Sequence, residues 1–196
     1  AALIPAAFAE SADEFNRRGI ELSSAGKHEA AIKEFSMAIS LDPGFTDALY
    51  NRGHAYAVLG KHAEAIKDYT RVVELDPNDA LAFNNRGHAY YSMGDLKKAV
   101  EDYSRAIALK PDMATAYNNR GLACEMLGKP DLAIRDYDRA IELNPNYAVA
   151  YNNRGLYNEN LGRHDLAIAD FGKAISSNPR YALAYYNRGF ARQKAE

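Results

Sequence analysis

Acidic side chains are the first candidates for chemistry in this chain, because a pair of carboxyl groups can act as general acid and base. They recur at an interval of 34 residues. The recurring acids are Glu34, Asp68, Asp102, Asp136 and Asp170, and the bases three residues after the four aspartates are Arg71, Arg105, Arg139 and Lys173. Residues three apart share one face of a helix. An acid that recurs with its base at every interval is typical of structural ion pairs, so we expect no catalytic residues.

Histidines are the next candidates, because imidazole binds metal ions. Five are present, and they fall at two places in the same 34-residue interval: His28, His62 and His164 at one, His54 and His88 at the other. Packed helices lie about 8–10 Å apart, so two such imidazoles could bridge an ion only by leaning together, and a third ligand is not evident. Glycine-rich phosphate loops are missing from the sequence as well. We therefore expect no metal site, no cofactor and no enzymatic activity.

Asparagines form the most regular polar set. They occupy two adjacent positions of the interval: Asn51, Asn85, Asn119, Asn153 and Asn187 at one, and Asn16, Asn84, Asn118 and Asn152 at the position before it. A carboxamide both donates and accepts hydrogen bonds, so a row of them could bind the N–H and C=O groups of an extended peptide whatever its sequence. The alternative is that they cap turns or solvate a helix. Asparagine is a mediocre helix former, which favours the binding hypothesis.

Arginine follows each of these asparagine positions. The set is Arg18, Arg52, Arg86, Arg120, Arg154 and Arg188. Six arginines in a row would repel one another unless paired, and the recurring acids are the obvious partners for bidentate ion pairs. The alternative is a basic stripe for an acidic ligand. The matching recurrence of the acids favours pairing.

The elements that must position these side chains follow from the interval itself. We number each repeat from 1 to 34, starting at Ala12, so that the arginine is at position 7 and a glycine at position 8. One apolar periodicity covers positions 2–14 and ends before a glycine at position 15, which suits a helix C-terminus. A second covers positions 18–30 and ends before a proline at position 32. Small residues at positions 8 and 20 and an aromatic at position 24 indicate two closely packed antiparallel helices. Such a pair must stack on its neighbours to bury its apolar face.

This pattern resembles the tetratricopeptide repeat (TPR) family. Position 4 is large, position 20 is alanine, position 24 is tyrosine or phenylalanine, and position 32 is proline. The family implies an all-α, right-handed solenoid of antiparallel helix pairs. We predict five full repeats at 12–45, 46–79, 80–113, 114–147 and 148–181, with a capping helix at 182–196. Because that helix turns polar at Arg192, Gln193 and Lys194, we expect a monomer or at most weak self-association.

The resemblance also implies that positions 2, 5, 6, 9, 12 and 13 of the first helices line a concave groove. The asparagine row is similar to the array in the TPR superhelix of O-linked N-acetylglucosamine transferase. The predicted peptide-binding residues are Asn51, Asn84, Asn85, Asn118, Asn119, Asn152, Asn153, Asn187, His54, His88, Leu122, Met126, Leu156, Tyr186 and Phe190. We expect a protein-interaction scaffold. The alternative is a substrate-docking or oligomerisation domain of a larger protein or enzyme assembly. The lysines and arginines with which chaperone-binding TPR domains grip a terminal carboxylate are not matched.

Composition adds few further constraints. The formal net charge is −2, so no basic field points to nucleic acid. Apolar runs of the roughly 20 residues that span a membrane are also missing. The single cysteine, Cys124, takes position 11, where we expect a buried free thiol. Position 11 of the fifth repeat is Asn158, where a buried amide without partners would weaken the packing.

The first eleven residues lie outside the repeat pattern. "AALIPAAFA" is apolar and ends in an A-x-A sequence before an acidic segment, which is typical of the end of a secretory signal peptide. Residues 1–11 are therefore interpreted as a signal-peptide remnant, and a periplasmic or secreted location is expected. The alternative is a short alanine-rich or disordered extension of a cytoplasmic protein.

Overall fold

The computed structural model describes residues 10–195, and this range is helical apart from short connections. Its helices are α1 (Ala12–Ser24), α2 (His28–Leu41), α3 (Thr46–Val58), α4 (His62–Leu75), α5 (Ala80–Ser92), α6 (Leu96–Leu109), α7 (Ala114–Met126), α8 (Pro130–Leu143), α9 (Ala148–Asn160), α10 (His164–Ser177) and α11 (Ala182–Ala195). The predicted helix pairs are thereby confirmed. Residues 1–9 of the predicted signal remnant lie outside the described range, so that hypothesis stays a prediction.

The chain divides into two compact units. Unit 1 ends at Met93 and contains α1–α5, and unit 2 begins at Gly94 and contains α6–α11. Within unit 1, α1 packs on α2 and α3 on α4, and within unit 2, α7 packs on α8 and α9 on α10. First helices of successive repeats also touch, since α1 contacts α3 and α7 contacts α9. Each unit is therefore a stack of helix pairs, with its first helices side by side.

Local sequence sets the helix ends. At the start of α1, Ser11 and Glu14 form a reciprocal capping box, which satisfies two N–H groups of the first turn. The glycines at position 15 adopt the left-handed conformation, with φ between +69° and +81° at Gly26, Gly60, Gly94, Gly128 and Gly162. The second helices end two residues before the position 32 proline, as at Leu41 before Pro43. The predicted helix boundaries are thus accurate to within about one residue.

The close approach of paired helices depends on the glycine at position 8. In the fifth repeat, a Cβ atom built on Gly155 would lie 2.6 Å from Cε1 of Phe171. In the fourth repeat, the corresponding distance from Gly121 to Cε1 of Tyr137 is 2.9 Å. Only a residue without a side chain lets the aromatic ring rest on the first helix, and these rings are among the most buried side chains of the protein.

The fifth repeat packs differently from the other four. Asn158 is buried but donates from Nδ2 to Oδ2 of Asp170 at 3.2 Å, so the expectation of an amide without partners is wrong. The preceding residue, Tyr157, is buried edge-on against Tyr137 with ring centroids 6.5 Å apart, and its hydroxyl donates to the carbonyl of Pro130. The hydrogen bond and the second ring together compensate for the missing apolar residue.

Helix α11 docks on the fifth repeat through small residues. Ala184, Asn187 and Ala191 are buried, and α11 contacts α10. Arg192, Gln193 and Lys194 are exposed, as predicted for a capping helix. Its outer face is nevertheless not polar throughout, because Tyr185 and Phe190 are 45% and 46% exposed.

Two smaller predictions can be compared with the structure. Cys124 is a free thiol with no exposed surface, as expected, and burial raises its pKa. Among the described residues, no helix combines the length and apolar character needed to cross a membrane.

Candidate functional site

The recurring arginines are held by the recurring acids of their own repeats. Nε of Arg154 lies 3.0 Å from Oδ2 of Asp170, and Nη2 lies 2.6 Å from Oδ1. The same two-bond arrangement joins Arg52 to Asp68 at 2.8 and 2.7 Å. Arg120 and Asp136 repeat it at 2.8 Å for both bonds, and in the first repeat Arg18 pairs with Glu34. Hydrogen bonding to the aspartates raises the pKa of Arg52, Arg120 and Arg154. The pairing hypothesis is confirmed for these four arginines.

The arginines of the second to fifth repeats also reach the preceding repeat. Nη1 of Arg52 donates to Oγ of Ser36 at 3.0 Å, and Nη1 of Arg154 donates to Oδ1 of Asp138 at 2.7 Å. Equivalent bonds join Arg86 to Thr70 at 3.2 Å and Arg120 to Ser104 at 3.0 Å. The acceptors all occupy position 25, and this recurrence of polar residues is a signal in the sequence from which the bonds could have been predicted. The arginines therefore fasten neighbouring repeats together, which argues against a basic stripe for an acidic ligand.

The asparagines are linked between repeats in a similar way. In unit 2, Nδ2 of Asn153 donates to Oδ1 of Asn118 at 3.0 Å, and Nδ2 of Asn187 donates to Oδ1 of Asn152 at 3.0 Å. In unit 1, Asn51 donates to Asn16 at 3.2 Å, and Asn85 donates to the hydroxyl of Tyr50 at 2.7 Å. Position 6 is thus tied to the first helix of the preceding repeat, at position 5 in three of these four cases. This gives the asparagines a structural role that neither capping nor solvation covered.

Burial separates the two asparagine positions. At position 5, Asn118 and Asn152 are only 3% and 1% exposed, and Asn16 and Asn84 are buried as well. At position 6, Asn51, Asn85, Asn119 and Asn153 are partly exposed, whereas Asn187 is buried. The predicted binding residues Asn84, Asn118, Asn152 and Asn187 therefore present little surface to a ligand, and a role for them in binding stays a prediction.

Unit 2 carries an apolar stripe beside the position 6 asparagines. Its residues come from α7, α9 and α11, where α7 contacts α9 and α9 contacts α11. Leu156, Phe190, Met126 and Tyr186 are 37%, 46%, 60% and 72% exposed, and Leu122 is half-buried. Val149 and Leu183, at position 2, are also exposed and were not among the predicted residues. We call the stripe formed by Leu122, Met126, Leu156, Tyr186 and Phe190 the apolar stripe.

Unit 1 presents a more polar surface on its first helices. His54 and His88 are exposed at position 9, as predicted. The pKa of His88 is lowered because neighbouring atoms partly desolvate its ring, with a smaller effect from the like charge of His62. Groups of three or more histidine, cysteine or acidic side chains that could hold a metal ion do not occur within residues 10–195.

Three family profiles match the chain. One, described as "TPR repeat", matches residues 19–60, 87–128 and 160–195. Two, described as "Tetratricopeptide repeat", match residues 46–79 and 114–147, and residues 68–101 and 136–169, respectively. A search of curated protein sequences found no match.

Solved structures with the same fold include a crystal structure of MamA, which is 30% identical and covers 84% of this chain and 96% of its own, with a TM-score of 0.74. A thermophilic TPR protein of Thermus thermophilus is 22% identical, with 93% and 100% coverage and a TM-score of 0.76. YrrB, described as a TPR protein with an unusual peptide-binding site, is 23% identical, with 91% and 92% coverage and a TM-score of 0.71. At these two lower identities, the likeness concerns the fold alone. With its profile matches and its similarity to MamA, the chain belongs to the tetratricopeptide repeat family.

Proposed function

We propose that this protein is an interaction scaffold that binds an extended segment of a partner protein across the first helices of unit 2. The observation that carries the proposal is the apolar stripe on α7, α9 and α11. Soluble surfaces rarely place several large apolar side chains side by side unless they bind something. Leucine, methionine, tyrosine and phenylalanine in one stripe suit apolar side chains of the partner.

The position 6 asparagines supply the polar part of such a site. The Nδ2 group of Asn153 is held by Asn118, which fixes the rotamer of the carboxamide before any ligand arrives. Its Oδ1 accepts no hydrogen bond from the described residues, so it is available to a backbone N–H group of the partner. An acceptor whose geometry is already fixed loses little entropy on binding. The site would thus combine apolar pockets, which select side chains, with an acceptor that binds any backbone.

A scaffold role fits the rest of the surface. The recurring ion pairs link helices and repeats rather than facing one another across a pocket, and they therefore support the fold rather than acid–base chemistry. YrrB shows that this fold can carry a peptide-binding site. We propose accordingly that the chain acts by binding and not by catalysis, in a periplasmic or secreted location if residues 1–11 are a signal remnant.

Selection from a displayed peptide library, followed by calorimetry, would test the binding site. Peptides selected on the wild-type chain should bind the variants Leu156→Glu and Phe190→Glu at least tenfold more weakly, because each places a charge in an apolar site. The matched control is Leu166→Glu, which alters an equally large exposed leucine on the second helix α10. Peptides that bind all three variants alike would show that the apolar stripe is not the site.

A further inference from the structure

The outer face of α11 repeats one half of a packing arrangement whose other half is missing from the described residues. In the fifth repeat, Arg154 and Gly155 of the first helix receive Asp170 and Phe171 of the second helix. In the fourth repeat, Arg120 and Gly121 receive Asp136 and Tyr137 in the same way. The first and second repeats follow the same rule with Glu34–Phe35 and Asp68–Tyr69. An acid followed at once by an aromatic is therefore what an arginine–glycine pair in this protein accepts.

In α11, the receiving residues are Tyr185, Arg188 and Gly189. A Cβ atom built on Gly189 would have nothing within 4 Å, whereas the equivalent atom on Gly155 would touch Phe171. The Arg188 guanidinium lies 5.7 Å above the ring of Tyr185 and meets no carboxylate among residues 10–195. Position 25 of the fifth repeat is Gly172, which has no side chain to offer it. We call Tyr185, Arg188 and Gly189 the open α11 face.

We propose that the open α11 face binds an amphipathic helix of a partner protein in which an acidic residue is directly followed by tyrosine or phenylalanine. The acid would form the two-bond ion pair with Arg188, and the aromatic ring would rest on Gly189. A small residue four positions before the aromatic would face α11, as Ala167 precedes Phe171. This helix-binding face is separate from the apolar stripe and involves a folded ligand rather than an extended one.

The charge of α11 suits such a partner. Ala182–Ala195 contains the bases Arg188, Arg192 and Lys194 and no acidic residue. The second helices with which the other first helices pair carry acids at the contact, and α8 has four acidic residues against two basic ones in its sequence PDLAIRDYDRAIEL. An acidic helix would therefore be attracted to α11 and oriented by Arg188.

A second folded copy of this chain is poorly suited to be the occupant. Its own position 24 aromatics are Phe35, Tyr69, Tyr103, Tyr137 and Phe171, and each is exposed by 1% or less. None could reach Gly189 of another molecule unless its repeat first opened. The ligand must instead present its acid–aromatic pair on an exposed helix.

The test uses the full chain and a labelled synthetic helix with the sequence of residues 130–143. A covalent staple between positions 135 and 139, both exposed in α8, removes the cost of forming a short isolated helix. Fluorescence anisotropy should show binding. Replacing the acid or the aromatic of the peptide (Asp136→Asn or Tyr137→Ser) should weaken that binding about tenfold or more.

Variants of the chain locate the site. Gly189→Leu fills the space intended for the ring and should weaken binding at least tenfold without lowering the melting temperature, because nothing adjoins Gly189. Arg188→Gln should weaken it about tenfold, whereas Arg180→Gln, which removes a charge from an exposed connection, should not. Failure of the stapled peptide to bind, or binding that Gly189→Leu leaves unchanged, would overturn the proposal. So would a dimer in sedimentation that Gly189→Leu abolishes, because a second copy would then be the occupant.

Discussion

Arg154 and Asp170 form a two-bond ion pair between the first and second helices of the fifth repeat, at 3.0 and 2.6 Å. The Asp170 side chain is 7% exposed, so removing the arginine leaves a nearly buried carboxylate without its counterion. We expect Arg154→Met to lower the free energy of unfolding by about 3 kcal/mol, measured by urea denaturation. Arg71→Met is the control, since the Arg71 and Glu74 side chains are 48% and 57% exposed and such pairs contribute about 0–1 kcal/mol. Equal effects would show that the buried pair is no more important than a surface pair.

Asn158 shares Asp170 with that arginine. Because its amide donates to Oδ2 of Asp170, Asn158→Ala should lower the free energy of unfolding by about 1 kcal/mol. Asn158→Tyr, which restores the residue found at position 11 of the second and third repeats, should not stabilise the protein. Thermal unfolding of the two variants would measure both effects. A more stable tyrosine variant would show that the hydrogen bond contributes less than the lost apolar contact.

Two glycines provide a matched comparison of close packing with open space. Gly155→Ala pushes a methyl group to 2.6 Å from the Phe171 ring and should destabilise the protein by about 1–3 kcal/mol. Gly172→Ala adds the same methyl group inside α10 with nothing within 4 Å and should stabilise it by about 0.5–1 kcal/mol through helix propensity. Chemical denaturation would give opposite signs for the two changes. Destabilisation of similar size in both would contradict the role assigned to position 8.

The sequence was sufficient to predict the helices, because each boundary is marked by a residue with a specific backbone preference. Gly26 and its equivalents adopt a positive φ, and Pro43 and its equivalents follow the second helices. The ion pairs could also be predicted, since Arg52 and Asp68 recur with the same period and opposite charge.

Side-chain burial was harder to predict than the helices. Asn118 and Asn119 are adjacent and chemically identical, yet one is buried and one partly exposed, because a step of one residue turns a helical side chain by about 100°. Sequence alone does not say which of the two faces the neighbouring repeat. The compensation of Asn158 by Asp170 depends on a contact between helices, which no local pattern reveals.

His88 should make stability depend on pH. Its pKa in the folded protein is lowered from the ordinary value of 6.5, so the unfolded chain binds more protons as the pH falls. The stabilising contribution is fully present above about pH 6.5 and is lost as the pH falls through the folded pKa. The free energy of unfolding should therefore decline more from about pH 7 to about pH 5 in the wild type than in His88→Asn. Proton NMR titration offers a second readout, because His62→Asn removes the like charge and should raise the pKa of His88. An unchanged pKa would exclude the influence of His62.

Asn118 and Asn153 allow the structural and binding roles of the asparagines to be separated. Their hydrogen bond of 3.0 Å joins two repeats, so a double-mutant cycle of Asn118→Ala and Asn153→Ala should give a coupling energy of about 1 kcal/mol in unfolding experiments. The control cycle uses Asn160 and Glu125, whose contact is exposed and 3.4 Å long, and should give almost none. Asn153→Ala should also weaken the binding of selected peptides, since its Oδ1 faces no partner within the described chain. Buried Asn118 should affect binding only through Asn153, so in an Asn153→Ala background its replacement should leave the remaining affinity unchanged. A further loss of affinity in the double variant would mean that Asn118 contacts the peptide directly.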